Sequence, residues 1–404
     1  MNPMLSGSQK KPAAHGRRKL SEIAAVSFKL GLTSFGGPVA HLGYFHHEYV
    51  RRKQWLDEKS YADLVALCQF LPGPASSQVG IGIGIVRGGL LGGLIAWLGF
   101  TLPSVIALIV FALLMDGANL GSSGFIHGLK LVAVAVVAHA ILGMGRKLAA
   151  DRSRATIALL AAAAVLLWPA AYTQVAAIAA AGAAGALLYR QRAGDDSPKL
   201  NIPVSRTFGL VCLGMFAGLL ILLPVFSRLV HTGWAELADS FYRAGSLVFG
   251  GGHVVLPLLE QEVVPAGWVS AEDFLAGYGM AQAVPGPLFT FASYLGMMAQ
   301  GWQGAVIATA AIFLPALLLV YGALPFWNTL RGSGKAQGVL SGVNAAVVGL
   351  LIAAFYDPLW TSAVQAPADF VLAAALFVLL AFWNAPPWLV VISGSAAGMI
   401  ADLF

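Results

Sequence analysis

Apolar residues in this chain gather into long uninterrupted runs. Residues 88–115 and 208–226 are two of them, neither holding a charged side chain, and each is long enough for a membrane-crossing helix, which needs about 20 residues. No contiguous stretch longer than about 20 residues has the polarity of a soluble segment. The pattern predicts an all-α polytopic membrane protein with no extramembrane domain.

The runs repeat. Residues 28–37 read FKLGLTSFGG and residues 242–251 read YRAGSLVFGG. At an offset of 214, Lys29 meets Arg243, Gly31 meets Gly245, and Phe35-Gly36-Gly37 meets Phe249-Gly250-Gly251. After one deletion, at an offset of 213, Trp55 meets Trp268, Gln69 meets Gln282, and Pro72-Gly73-Pro74 meets Pro285-Gly286-Pro287. Gly88 then falls on Gly301, and Pro103 on Pro315 after one more gap. Such self-similarity marks an internal duplication.

Loop charge orients the copies. Arg51, Arg52, Lys53 and Arg87 flank the first copy's segments, while 263–270 and 299–304 in the second hold no Lys or Arg. Conversely 116–127 is free of Lys and Arg, whereas 326–337 carries Arg331 and Lys335. Basic loops stay cytoplasmic, so the second copy is expected to be the first turned upside down. Arg146, Lys147, Arg152 and Arg154 mark one cytoplasmic loop, and Arg190, Arg192, Lys199 and Arg206 the next. An Ala-rich hairpin turning near Trp168-Pro169 separates them, and 208–226 then carries the chain outward. No Lys or Arg follows Lys335, which places the C-terminus outside; Arg228 is the one dissenting cation.

With the N-terminus and Arg51 both inside, residues 21–49 must enter and leave on one face. Residues 21–35 reach about 20 Å as a helix, so a re-entrant hairpin is predicted with Gly36-Gly37-Pro38 at its tip. Residues 61–86 repeat the device with Pro72-Gly73-Pro74 at the tip, and the second copy enters twice from outside. The competing arrangement has broken helices that cross fully. The expected organisation is a basic cytoplasmic tail (1–20), an N-terminal repeat (21–145), a connecting hairpin, linker and inverting span (146–237), an inverted repeat (238–355) and a terminal hairpin (356–404).

Composition narrows the functional classes. Of 404 residues, 58% are hydrophobic and 10% charged, against about 25% charged in soluble proteins. The net charge of +6 belongs mostly to short cytoplasmic loops, so nucleic acid is not an expected partner. The first 20 residues lack an apolar core and are not a cleavable signal. Cys68 and Cys212 lie in apolar segments and imply neither a disulfide nor a metal site. His46, His47 and Glu48 are adjacent in sequence, which splays them around a helix and argues against metal. No P-loop, nucleophile elbow or HExxH motif is present, so neither an enzyme nor a cofactor is expected.

Irregular backbone survives in a bilayer only inside protein or beside a watery cavity. Four Gly/Pro tips therefore suggest one shared cavity, although packing and kinking alone would also employ such residues. Pro38, Pro74 and Pro287 suit first helical turns, leaving the N–H groups of Ser76 and Ser77 free to bind an anion at the positive end of the helix dipole. Lys29 and Arg243 each stand seven residues before the first glycine of their tip; intramembrane cations are expensive and usually functional, the alternative being a snorkel to the headgroups. Gln69, Gln282 and Thr290 offer further donors, and His253 a contact or a proton carrier. With Phe35, Gly36, Gly37, Pro72, Gly73, Gly250, Gly251, Gly252, Pro285 and Gly286, these residues form the expected substrate site. Glu260 and Glu262 are expected near the outer surface.

F-K-L-G-L-T-S-F-G-G-P at 28–38, Q-F-L-P-G-P at 69–74, F-G-G-G-H at 249–253, A-Q-A-V-P-G-P at 281–287 and F-L-P at 313–315 resemble the chromate ion transporter (CHR) family in its long, two-domain form. The likeness spans roughly residues 20–355, with Gly252 where the first half has Pro38. It implies chromate efflux across the bacterial inner membrane and chromate resistance, with sulfate, isosteric and equally charged, as competitor. The residues themselves indicate only an anion-compatible transporter, leaving another oxyanion carrier or a membrane scaffold open. A dianion leaving a cell with a negative interior gains about 4.6 kcal/mol per 100 mV, twice the single-charge value, so export needs no obligatory coupling ion. Gly80, Gly82 and Gly84 permit tight packing within one subunit or in a homodimer.

Overall fold

The computed structural model describes residues 12–118, 124–189, 204–249, 252–327 and 333–402. Gly250, Gly251, Arg331 and the basic residues Arg190, Arg192 and Lys199 lie outside them. Helix α1 (Pro12–Thr33) stops at Gly36 and Gly37, whose φ values of +94° and +76° fall where side chains with a Cβ are strained. Pro38 opens α2 (Gly37–Phe45), which continues as a π-helical turn, His46–Arg52. The two arms lie antiparallel, since partner numbers fall as the others rise: Glu22 bonds Lys53 (3.0 Å), Ser27 contacts Tyr49 (3.4 Å) and Lys29 bonds Glu48 (3.1 Å).

Asp57 caps α3 (Glu58–Phe70) by accepting the N–H groups of Lys59 and Ser60, the usual service of an N-cap carboxylate. After the turn at Gly73 (φ +115°) comes α4 (Ala75–Ala118). Leu64 of α3 lies on Gly82, where a Cβ would meet it at 2.7 Å, so this pair of helices also doubles back. Its base returns to the first hairpin's base: Arg87 bonds Glu22 at 3.3 Å and covers the Trp55 ring at 5.2 Å. The chain thus goes out and comes back twice before it runs on.

The second arm of α4 starts at a turn hidden within an apolar run. Gly89 has φ +67°, and a Cβ on Gly84 would stand 2.3 Å from the Gly92 carbonyl oxygen. Eight residues of straight helix would separate them by about 12 Å. The arms therefore fold sharply back, and only glycine permits that approach.

Beyond lie α5 (Gly124–Leu148), α6 (Arg152–Leu167), α7 (Ala171–Leu188) and α8 (Arg206–Val230). The second repeat then supplies α9 (Gly233–Leu247), α10 (Val255–Val263), α11 (Ala271–Ala281), α12 (Phe291–Ala323) and α13 (Gly334–Ala354), followed by α14 (Pro367–Ala381) and α15 (Pro387–Ala401). Its devices match the first. In α12, Gly301 (φ +63°) makes the turn, and a Cβ on Gly296 would stand 2.3 Å from Gly304 oxygen. This corrects the expected register: Gly89, not Gly88, is the counterpart of Gly301, because both take the positive φ of the turn. The Leu64–Gly82 contact recurs with its sizes exchanged, Gly277 now receiving Tyr294.

Helices cross between repeats. α6 and α7 pack on α13, while α14 and α15 pack on α5. A Cβ on Gly185 of α7 would stand 2.3 Å from Gly338 oxygen, and one on Gly398 of α15 would stand 2.1 Å from Gly124 oxygen; the two close approaches are equivalent at offsets of 213 and 214. Among the described residues, Ala75–Met115, Gly124–Leu148, Arg206–Val230, Leu288–Phe326 and Gly334–Ala363 are long and apolar enough to cross a membrane.

Candidate functional site

Two reciprocal hydrogen bonds hold the hairpin tips together. Gly73 N–H donates to Val248 oxygen at 2.7 Å, and Gly286 N–H donates to Ser34 oxygen at 2.8 Å. Gly73 and Gly286 are counterparts, as are Ser34 and Val248, so each PGP tip is tied to the residue that leads into the other repeat's FGG tip. A Cβ on Gly37 would lie 4.0 Å from His253 Nε2, and one on Gly252 would lie 3.4 Å from Pro38. Behind the tips, the Ser104 hydroxyl donates to Pro285 oxygen.

Gly36, Gly37, His253, Gln282 and Gly286 line a small, partly open cleft at this junction, together with Ala281, Val284, Leu288 and Pro387. His253 Nδ1 is 2.8 Å from the Tyr278 hydroxyl. The Gln282 amide nitrogen and the Ser34 and Ser77 hydroxyls are buried without hydrogen-bond partners in the protein. Buried polar groups are rarely left so; of the three, Gln282 lines the cleft, where an unpaired amide beside glycine backbone suits a small polar ligand.

A profile described as chromate transporter matches residues 21–186 and again 235–399. The chain belongs to the chromate transporter family. It is 30% identical over 362 residues to a chromate transport protein of Pseudomonas aeruginosa, covering 86% of this chain and 83% of the relative. A chromate transport protein of Cupriavidus metallidurans is 27% identical, with 95% and 93% covered, and a probable chromate transport protein of Synechococcus elongatus is 29% identical, with 84% of each covered. No solved structure matches. This is a family of multi-pass membrane transporters, not of enzymes. The matched segments run past residues 145 and 355, taking α6–α7 and α14–α15 into the two repeats, as the Gly185 and Gly398 contacts do.

Other expected site residues stand apart from the cleft of this family member. Ser76 bonds His41 at 3.2 Å, and Thr290 bonds Pro287 oxygen at 2.7 Å within its own turn. Pro72 and Pro74 carbonyls accept from Gln78. Phe35 is half-buried and Gln69 exposed. Lys29 and Arg243 do not reach the tips. Each is seven residues back, about 10 Å of helix, and each holds a carboxylate, Glu48 at 3.1 Å and Glu262 at 2.8 Å.

Glu48 and Glu262 had a signal in the sequence, since they too are 214 apart. Their pairs differ in the third member. Arg52 joins Glu48 (3.0 Å), making two cations to one carboxylate, whereas Asp239 joins Arg243 (3.1 Å), making two carboxylates to one cation. Tyr278 gave no such signal, because its counterpart is Val65. Among the described residues, no group of three His, Cys, Asp or Glu side chains is placed to hold a metal.

Proposed function

We propose that this protein exports chromate from the cytoplasm and thereby confers chromate resistance, binding the dianion in the cleft between the hairpin tips. The observation that carries this reading is the reciprocal pair of bonds, Gly73 to Val248 and Gly286 to Ser34, which ties the two repeats together beside one polar cleft lined by the glycine backbone of Gly36, Gly37 and Gly286. Family membership supplies the ion. Main-chain and amide N–H groups supply directed donors without a fixed countercharge, which lets a doubly charged ion bind and leave again.

In this reading the hairpins are re-entrant: the Glu22–Lys53–Arg87 end faces the cytoplasm, the second repeat opens outward, and the C-terminus is outside. The family and the composition favour the inner membrane. Lys29 and Arg243 flank the cleft along its two approaches rather than sharing one ion. Sulfate is the second reading, because it has the same shape and charge and the cleft offers nothing that would tell the two apart. Cells lacking and expressing the protein should differ in chromate sensitivity, and proteoliposomes should show labelled chromate counterflow. Counterflow of sulfate with none of chromate would favour the second reading; counterflow of neither would end both.

A further inference from the structure

We propose that one half of the molecule chooses the anion, through Tyr278, His253 and Gln282, and that it selects tetrahedral dianions that only accept hydrogen bonds. The inference rests on the cleft being the anion site. His253 and Gln282 both line it. Tyr278 is fully buried behind them, with its hydroxyl 2.8 Å from His253 Nδ1. Gln282 approaches the same hydroxyl, yet its Nε2 has no hydrogen-bond partner. The counterparts in the first repeat are Val39, Val65 and Gln69, and Gln69 is exposed. The approximate symmetry that builds the cleft from both halves therefore leaves its side-chain donors on one wall.

Tyr278 is a positioning residue. A phenol donating to Nδ1 fixes the neutral imidazole as the tautomer with hydrogen on Nε2, because the hydrogen bond at one ring nitrogen sets the state of the other. Nε2 is the atom that faces Gly37. His253 N–H and the Gln282 amide then present donors, opposite the glycine backbone of Gly36 and Gly37. Fully deprotonated chromate and sulfate satisfy such a wall. Phosphate near neutrality keeps at least one O–H, which would point at a donor and lose its own partner, a mismatch that sites built from buried polar groups reject strongly.

The test is competition by unlabelled sulfate or phosphate against labelled chromate counterflow in proteoliposomes. Wild type should be inhibited by sulfate far better than by phosphate. Tyr278→Phe keeps the ring but frees the tautomer, and should lower the sulfate-over-phosphate preference about tenfold, roughly one directed hydrogen bond's worth. Val65→Ala, the equivalent position in the other half, should leave the preference unchanged. If Tyr278→Phe does not give a folded protein, His253→Leu, which removes the donor from the wall, should show the same fall. An unchanged preference in the folded variants overturns this inference and leaves chromate transport standing. Absence of wild-type chromate counterflow overturns both.

Discussion

Pro38 rests against Gly252, its own counterpart in the other repeat, with Pro38 Cγ 3.4 Å from the position a Gly252 Cβ would take. Equivalent residues touch in this way only near the axis relating two copies. The contact therefore puts the pseudo-twofold through the FGG tips, and the cleft beside it is built by both halves. Glycine and proline are concentrated there because the backbone itself is the contact surface.

The two PGP glycines should not tolerate alanine equally. Gly73 and Gly286 have φ of +115° and +99°, so a side chain costs each about 1–2 kcal/mol. A Cβ on Gly286 would also fall 2.2 Å from Ser104 Oγ, whereas on Gly73 the nearest atom is Gln78 Nε2 at 3.1 Å. Gly286→Ala should lower the unfolding temperature in detergent more than Gly73→Ala, and adding Ser104→Ala should recover part of the difference.

The exchanged sizes at Leu64–Gly82 and Gly277–Tyr294 make a double-mutant test of the repeat. Gly82→Tyr alone drives a ring into Leu64, and overpacking of this kind costs about 1–3 kcal/mol. Combined with Leu64→Gly, it recreates the arrangement of the second half. The double variant should be more stable than Gly82→Tyr alone, with a coupling of about 0.5–3 kcal/mol by thermal or denaturant unfolding.

Opposite third charges should make the two approaches unequal. Arg52→Gln removes the surplus cation beside Lys29–Glu48, and Asp239→Asn the surplus anion beside Arg243–Glu262. Along their helices Asp239 and Arg52 stand roughly 16–22 Å from the tips, and a unit charge at that distance from a dianion is worth roughly 0.4–2 kcal/mol between aqueous and protein-like screening. Arg52→Gln should raise the chromate KM measured from the cytoplasmic face severalfold, and Asp239→Asn should lower it from the outer face. Both effects should shrink with added salt. Oriented vesicles of each sidedness read the two constants separately.

Topology is open to labelling with little background, because Cys68 and Cys212 are both buried. The Arg52 side chain is 56% exposed. A cysteine at position 52 should react with an impermeant thiol reagent from the cytoplasm and not from the periplasm. Reaction from the periplasm would replace the re-entrant hairpins with fully crossing broken helices.

Much of this architecture was legible in the residues. The first FGG segment and both PGP segments locate bends that the structure brings together, because the glycines with positive φ, Gly36, Gly37, Gly73 and Gly286, leave a composition signal. The turn at Gly89 was invisible as a turn, since the residues around it are as apolar as a straight span, and the missed register of one residue followed from that. The Gly185–Gly338 and Gly398–Gly124 contacts were hidden in Ala-rich helices, where a few small residues carry the packing and periodicity says little. The partners of Lys29 and Arg243 went unread for a different reason. Their carboxylates sit on the return arms, so only the fold-back brings each pair within bonding distance.

The most direct measurement is equilibrium binding of chromate to the purified protein and to Gly37→Ala. At Gly37 an added methyl meets no atom closer than His253 Nε2 at 4.0 Å, so it narrows the cleft without a clash, and the positive φ of +76° costs it about 1–2 kcal/mol of backbone strain. Wild type should bind chromate and release it to sulfate, while Gly37→Ala, folded and monodisperse, should bind at least tenfold more weakly. Equal affinity in the two proteins, or no binding to either, would contradict an anion site at the meeting of the tips.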